Sequence, residues 1–202
     1  MIGTGLLTLD AADTTLQKVV DISGITSTIP LIKPDSISSL AALLGEQGIR
    51  VCLETVSHGP EGSDFKIKVS TTKARAKDIL DVVCRNHAYK YDEHEGFVNL
   101  FPAHVRLLGD KYPLNRRVAH LKLENTKIHE AVKSIGRHFL NPLTFINGSP
   151  IHTSDKAQVS FIDVNNLTVR EILNRLVKSA GLTRWNCAFD ARHPDFVEYI
   201  ID

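Results

Sequence analysis

Residues able to do chemistry gather at only a few places in this chain. His87, Asp92, Glu93, His94 and Glu95 bring imidazoles and carboxylates close together, as a metal site or an acid–base pair would need. Their spacing matches neither the HExxH of zinc hydrolases nor a complete calcium loop. Asp92 to Glu95 fall instead where a hairpin should turn, so they read as a solvated tip. His129 and His138 are nine positions apart on one helical pattern, which at about 100° per residue puts them on different faces. Cys52, Cys84 and Cys187 are too few and too scattered for a zinc site or a disulfide scaffold. They read as buried, inert thiols, with a Cys52–Cys84 bridge as the alternative. No GxSxG elbow, glycine-rich phosphate loop or CxxC pair occurs. The expectation is a chain without catalytic residues, metal or cofactor.

One run of charge stands apart. Lys66, Lys68, Lys73, Arg75 and Lys77 form a local basic cluster. On an alternating strand Lys66 and Lys68 share one side, opposite Phe65, Ile67 and Val69. The plain reading is a solvated face. The sharper one is a contact for an acidic partner or an anionic cell-wall polymer, which makes these five the candidate partner-binding residues.

The elements that must position these groups follow from the apolar periodicity. Residues 1–28 read as an N-terminal arm, with a strand at Leu6–Leu9 and a helical turn or two at Thr15–Val20. Ile29–Ile32 is a short strand that Pro30 and Pro34 confine to a sheet edge. Asp35 or Ser36 caps a helix burying Ile37, Leu40, Ala41 and Leu44, and Gly48 ends it. Ile49, Val51 and Leu53 then alternate with Arg50, Cys52 and Glu54, a strand with one buried side. Phe65–Val69 is another such strand, Arg75–Asn86 a second helix, and Tyr89–Leu100 a hairpin turning at Glu95-Gly96. Residues 103–117 form a linker whose Val105, Leu107 and Leu108 should pack partly against a module.

The order then repeats. Ala119, Leu121 and Leu123 mark a strand, and Asn125 or Thr126 caps a helix lined by Ile128, Ala131, Val132, Ile135 and Phe139. Strands follow at Leu143–Ile146 and Gln158–Val164. Thr168 and Glu171 have the spacing of a capping box, in which hydroxyl and carboxylate exchange bonds with each other's amides. The next helix buries Ile172, Leu173, Leu176 and Val177 and stops at Ala180-Gly181, before a closing hairpin that returns through Phe196–Ile200. Ile79-Leu80-Asp81 falls on Ile172-Leu173-Asn174. A period of about ninety residues suggests tandem small domains rather than a solenoid.

Composition narrows the partners. Among 202 residues, 24 Lys+Arg balance 23 Asp+Glu, which argues against a nucleic-acid or anionic-membrane partner. A GxxG at Gly45–Gly48 leads into a strand and encloses an acid, unlike a phosphate-facing RNA loop. No apolar stretch approaches the ~20 residues of a membrane span. The opening MIGTGLLTLDAADTT has neither a basic n-region nor an adequate apolar core for an export signal. Either the chain is cytosolic or such a signal has been removed.

A strand followed by VNNLTVREILNRLVKSAGLTRW and a hairpin resembles the short domain named for the N-termini of secretins and of TonB-dependent receptors. Asn165–Leu173 and Gly181–Trp185 carry the match. In the first copy Lys73–Leu80 keeps the pattern but lacks the Thr/Glu box, and Ala88 stands where Gly is expected. The resemblance spans about residues 29–101 and 118–201 and rests on packing and capping motifs. It implies an α+β fold of two tandem modules, 29–102 and 118–202. Each would have the order βαββαββ, with two helices on one face of a small mixed sheet. It further implies a non-enzymatic periplasmic or cell-envelope module that docks a partner protein on exposed sheet edges or helix faces. With neither a pore segment nor a barrel after Asp202, it would be a free-standing or excised pair. Ile29–Ile32 and Phe196–Ile200 are the candidate edges. The alternative is a small hydrolase or ligand-binding protein with a cleft between the modules. Any specialised surface is expected on the first copy, where basic residues replace the capping box.

Overall fold

The computed structural model describes residues 15–23, 37–57, 73–139, 157–190 and 193–201, with the backbone alone for residues 57, 137–139, 190 and 193–201. The expected strands at Leu6–Leu9, Ile29–Ile32, Phe65–Val69 and Leu143–Ile146 lie outside the described residues. The first half runs through β1 (Val19–Asp21), α1 (Ile37–Glu46), β2 (Val51–Ser57), β3 (Lys73–Arg75), α2 (Ala76–His87), β4 (Tyr89–His94) and β5 (Phe97–Pro102). The second runs through β6 (Arg117–Lys127), α3 (Ile128–Phe139), β7 (Gln158–Thr168), α4 (Val169–Ser179), β8 (Trp185–Asp190) and β9 (His193–Ile201). The fold is α+β.

The helices form where apolar residues recur at three- and four-residue steps. Ile37, Leu40, Ala41 and Leu44 of α1 are buried, as are Ala76, Ile79, Leu80 and Val83 of α2. In the second half Ile128, Ala131, Val132 and Ile135 of α3 and Ile172, Leu173, Leu176 and Val177 of α4 are buried too. Both α2 and α4 run into a left-handed residue at aligned positions, Ala88 (φ 53°) and Gly181 (φ 70°). The hairpin of β4 and β5 turns at Glu95-Gly96 with both residues at positive φ (53° and 82°), the backbone of a tight two-residue turn.

Strand pairing departs from two separate sheets. One five-stranded sheet has the order β4-β5-β2-β8-β9. Its centre, β2, runs parallel to β5 over Val51–Leu53 and parallel to β8 over Leu53–Ser57. The first half thus contributes three strands and the second half two. The division expected at residues 103–117 separates stretches of chain, but the sheet runs across it. β6 and β7 pair with each other in a long ribbon, and β1 pairs with β3.

β2, parallel to both neighbours, is covered on both faces, as parallel strands usually are, and this corrects the half-buried reading of residues 49–54. Val51 and Leu53 point into a core built with α1 and α2. Cys52 and Val56 point the other way, into a core with α3, α4, Trp185, Cys187 and Phe189. Arg50 is exposed as expected, but Cys52 and Glu54 are both 0% exposed. The layer laid down by α4 covers the face that alternation alone would leave to water.

The linker is ordered. It forms 3-10 turns at Ala103–Lys111 and Pro113–Asn115, with Val105, Tyr112 and Leu114 buried. Leu107 and Leu108 do not pack as expected and are 88% and 41% exposed. The arm residues Thr15–Gln17 form a 3-10 turn, and Val20 and Ile22 enter the first core.

Candidate functional site

Lys66 and Lys68 lie outside the described residues. The other three members of the basic cluster each meet an acid. Lys73 is 3.7 Å from Asp21, and Arg75 makes a two-pronged contact with Asp78 at 2.8 and 3.1 Å. Lys77 binds Asp81 at 2.6 Å. All three pairs are exposed, and such pairs contribute little stability. They also offset the positive charge that these three residues offer to any acidic partner. The second copy has the expected box in place of this cluster: the Glu171 amide donates to the Thr168 hydroxyl at 3.2 Å, and the Thr168 amide donates to Glu171 Oε2 at 2.7 Å. Burial opposes ionisation of Glu171, but the bonds from Thr168 outweigh it and hold the carboxyl below its ordinary range.

In the β4–β5 hairpin His94 lies 3.8 Å from Glu95, and the two acids Asp92 and Glu95 are engaged by separate partners. Asp92 accepts from Asn99 at 2.9 Å and from Arg106, and Glu95 accepts from Arg175 at 2.8 Å. Among the described residues no three His, Cys, Asp or Glu side chains are placed to hold a metal ion. His129 lies 3.1 Å from Glu130, its own neighbour; the side chain of His138 is outside the described residues. All three cysteines are free. Burial pushes the thiols of Cys52 and Cys187 well up, and burial with nearby Asp81 pushes Cys84 up to about 12. A thiol held protonated is a poor nucleophile.

A polar network that the sequence reading missed joins the halves. Arg170 of α4 donates from Nε and Nη2 to the two oxygens of Glu54 on β2, the second at 2.9 Å, and from Nη1 to Asn115 Oδ1 at 3.0 Å. The pair is 2% and 0% exposed. Burial works against the Arg170 charge, yet Glu54 outweighs it and raises the guanidinium further. Arg106 and Arg170 both lie against the Phe101 ring, 4.3 and 5.6 Å from its centroid. The Tyr112 hydroxyl is buried without a well-formed hydrogen bond. Burial raises its pKa, and the nearby Glu54 carboxylate adds to the rise. The network is filled by its own side chains and fixes β2 to α4. One signal was available: Arg170 lies three and seven positions before Leu173 and Val177, in line with the apolar stripe.

Two kinds of surface remain open to a partner. The first is the ends of the main sheet, because among the described residues β4 pairs only with β5 and β9 only with β8. The candidate edge Phe196–Ile200 lies within β9, and Ile29–Ile32 is outside the described residues. The second is an open cleft of about 430 Å³ beside β7. Residues 161–164 of β7 line one side, Arg175, Lys178 and Ser179 of α4 the other, and Glu95 completes it. A catalytic cleft between modules would need free titratable groups converging in a deep pocket. Here Glu95 is engaged by Arg175, and Asp163 lies 3.0 Å from His120.

No family model matches the chain, and no curated protein or solved structure is detectably similar to it.

Proposed function

We propose that this chain is a non-enzymatic interaction module of the bacterial cell envelope, working in the periplasm and docking a partner protein on an open edge of its five-stranded sheet. The observation that carries the reading is β9, a nine-residue strand at one end of the sheet order, with β8 as its single strand partner among the described residues. An unpaired edge presents a row of amides and carbonyls ready to bond an added strand. The likeness to the short secretin and TonB-receptor domain supports the same role. Its two packing motifs are in place, the Thr168/Glu171 box and the left-handed Gly181 after α4.

In an antiparallel edge strand, alternate residues turn their backbone groups away from the sheet. Of the neighbours Val197 and Glu198, one therefore faces outward. Val197→Pro and Glu198→Pro are compared in capture from envelope extract, with far-UV circular dichroism and melting as fold controls. The outward-facing proline should abolish capture of the specific partner while the protein stays folded. Capture unchanged in every folded variant sinks edge docking. Reversal of Lys66, Lys68 and Lys73 to Glu tests the basic face separately, and unchanged capture removes that face from the mechanism. A fusion of the complete reading frame to a reporter active only after export tests the compartment, and an inactive reporter overturns the periplasmic assignment.

A further inference from the structure

The cleft beside β7 is built differently from the β9 edge. Successive side chains of a strand point to opposite faces. Four consecutive residues, 161–164, can therefore line one cleft only if the backbone edge of β7 faces it. Among the described residues that edge carries no strand: β7 bonds to β6 along its other side and to no further strand. The opposite wall is one face of α4, since Arg175, Lys178 and Ser179 follow the i, i+3, i+4 spacing. A strand edge beside a groove is the geometry that takes an extended peptide as an added strand. The length of the lining, about 13 Å at ~3.3 Å per residue, suits four residues of such a peptide.

Charge selects which peptide. Lys178 is exposed and has no acidic partner among the described residues. Arg175 spends Nη2 on Glu95, while its Nε is buried with no hydrogen-bond partner. Asp163 is occupied by His120 at 3.0 Å. The cleft therefore offers unspent donors and positive charge on its helix wall, with a half-exposed Phe161 (53%) on the strand side. We propose that the groove between β7 and α4 binds an extended acidic segment of a partner protein, which adds to the β7 edge and places carboxylates against Lys178 and Arg175. Glu95 then acts as an internal competitor, holding part of the Arg175 guanidinium until an incoming carboxylate displaces it. This groove rests on the reading of the chain as a docking module but uses a surface separate from β9.

The test uses a displayed library of random heptapeptides selected on the whole chain, followed by affinities of the enriched synthetic peptides. Enriched sequences should carry alternating Asp or Glu, and binding should raise hydrogen-exchange protection in residues 160–164. Lys178→Glu should weaken binding about tenfold or more, Glu95→Gln should tighten it several-fold, and Lys90→Glu, which is not part of the groove lining, should leave it unchanged. The opposite responses of Lys178→Glu and Glu95→Gln cannot both come from loss of folding. Enrichment of neutral or basic peptides, or no enrichment, overturns the proposal. Protection confined to residues 193–201 overturns the groove while supporting docking at β9.

Discussion

Replacing Glu54 by Gln should be among the most damaging conservative changes this protein can suffer. The substitution keeps the size of the side chain but strips the charge facing Arg170. The guanidinium, 2% exposed, would then have only amide oxygens and the face of Phe101 to replace water. Isolating one partner of a buried ion pair costs about 3–5 kcal/mol. Total stabilities of domains are about 5–15 kcal/mol, so about a fifth or more would be lost. For a chain of 202 residues, at about 2–4 °C per kcal/mol, the melting temperature should fall by roughly 6–20 °C. The double variant Glu54→Leu/Arg170→Met removes both charges together and should return to within about 1 kcal/mol of the parent, or exceed it. Urea unfolding followed by fluorescence and far-UV circular dichroism measures this. Trp185 is the single tryptophan, fully buried beside β2 and bonded through Nε1 to Asn174 at 2.7 Å. Its signal should coincide with the dichroism transition if one sheet unites the halves. Stability of Glu54→Gln within about 0.5 kcal/mol of the parent, against the 3–5 expected, would refute the role given to the pair. Two separated transitions would refute the single cooperative unit.

Three further outcomes are expected. Thr168→Ala removes the capping box and should cost about 1 kcal/mol at neutral pH. Because the folded state holds Glu171 below its ordinary 4.5, the box stabilises above that pH and its contribution drains away as pH falls through the lowered value. Urea titrations across that window should therefore show a flatter acid limb for Thr168→Ala. Ala88 sits at φ 53° and ψ 31°, where an L side chain is strained, so Ala88→Gly should stabilise by about 1 kcal/mol and raise the melting temperature by about 2–4 °C. Ellman's reagent should find no fast thiol in the native protein, and Cys52 and Cys187 should become reactive only with global unfolding. Rapid native labelling of Cys187 would show that β8 leaves the sheet readily.

Local features were the legible ones. The apolar stripes of all four helices, the Glu95-Gly96 turn and the Thr168/Glu171 box depend on residues within a few positions of each other, and their spacing carries that information. What was not legible depends on partners far along the chain. Glu54 looked like the wet side of a one-sided strand because nothing near it in sequence announces that α4, 116 positions away at Arg170, covers it. The groove beside β7 draws on three separate stretches of chain, so no local motif could mark it. The acids that meet the basic cluster were no more legible: they are spread over Asp21, Asp78 and Asp81, one of them far away in the arm.

Positions of the two halves that align in sequence are used alike at one pair and differently at another. Asp81 and Asn174 align, and each ties its helix to an aromatic residue about ten positions on. Tyr91 donates to Asp81 at 2.5 Å, and Trp185 donates to Asn174 at 2.7 Å. Lys77 and Arg170 also align, one turn earlier. Lys77 spends its charge on Asp81 in solvent, whereas Arg170 is driven under the central sheet to meet Glu54. A lysine could not replace that contact, because only the planar fork reaches both carboxylate oxygens and Asn115 together. Arg170 therefore ties α4 to β2, the strand that joins the two halves by pairing with β8, and α4 turns Arg175 and Lys178 to the groove. Substituting Arg170→Lys puts this asymmetry to the test. It keeps the charge yet should destabilise by about 1–3 kcal/mol through lost hydrogen bonds, while Lys77→Arg at the aligned position should change stability by less than about 0.5 kcal/mol. Equal effects in urea unfolding would mean that the copies are interchangeable at this position, and the specialised role of α4 would fall with that result.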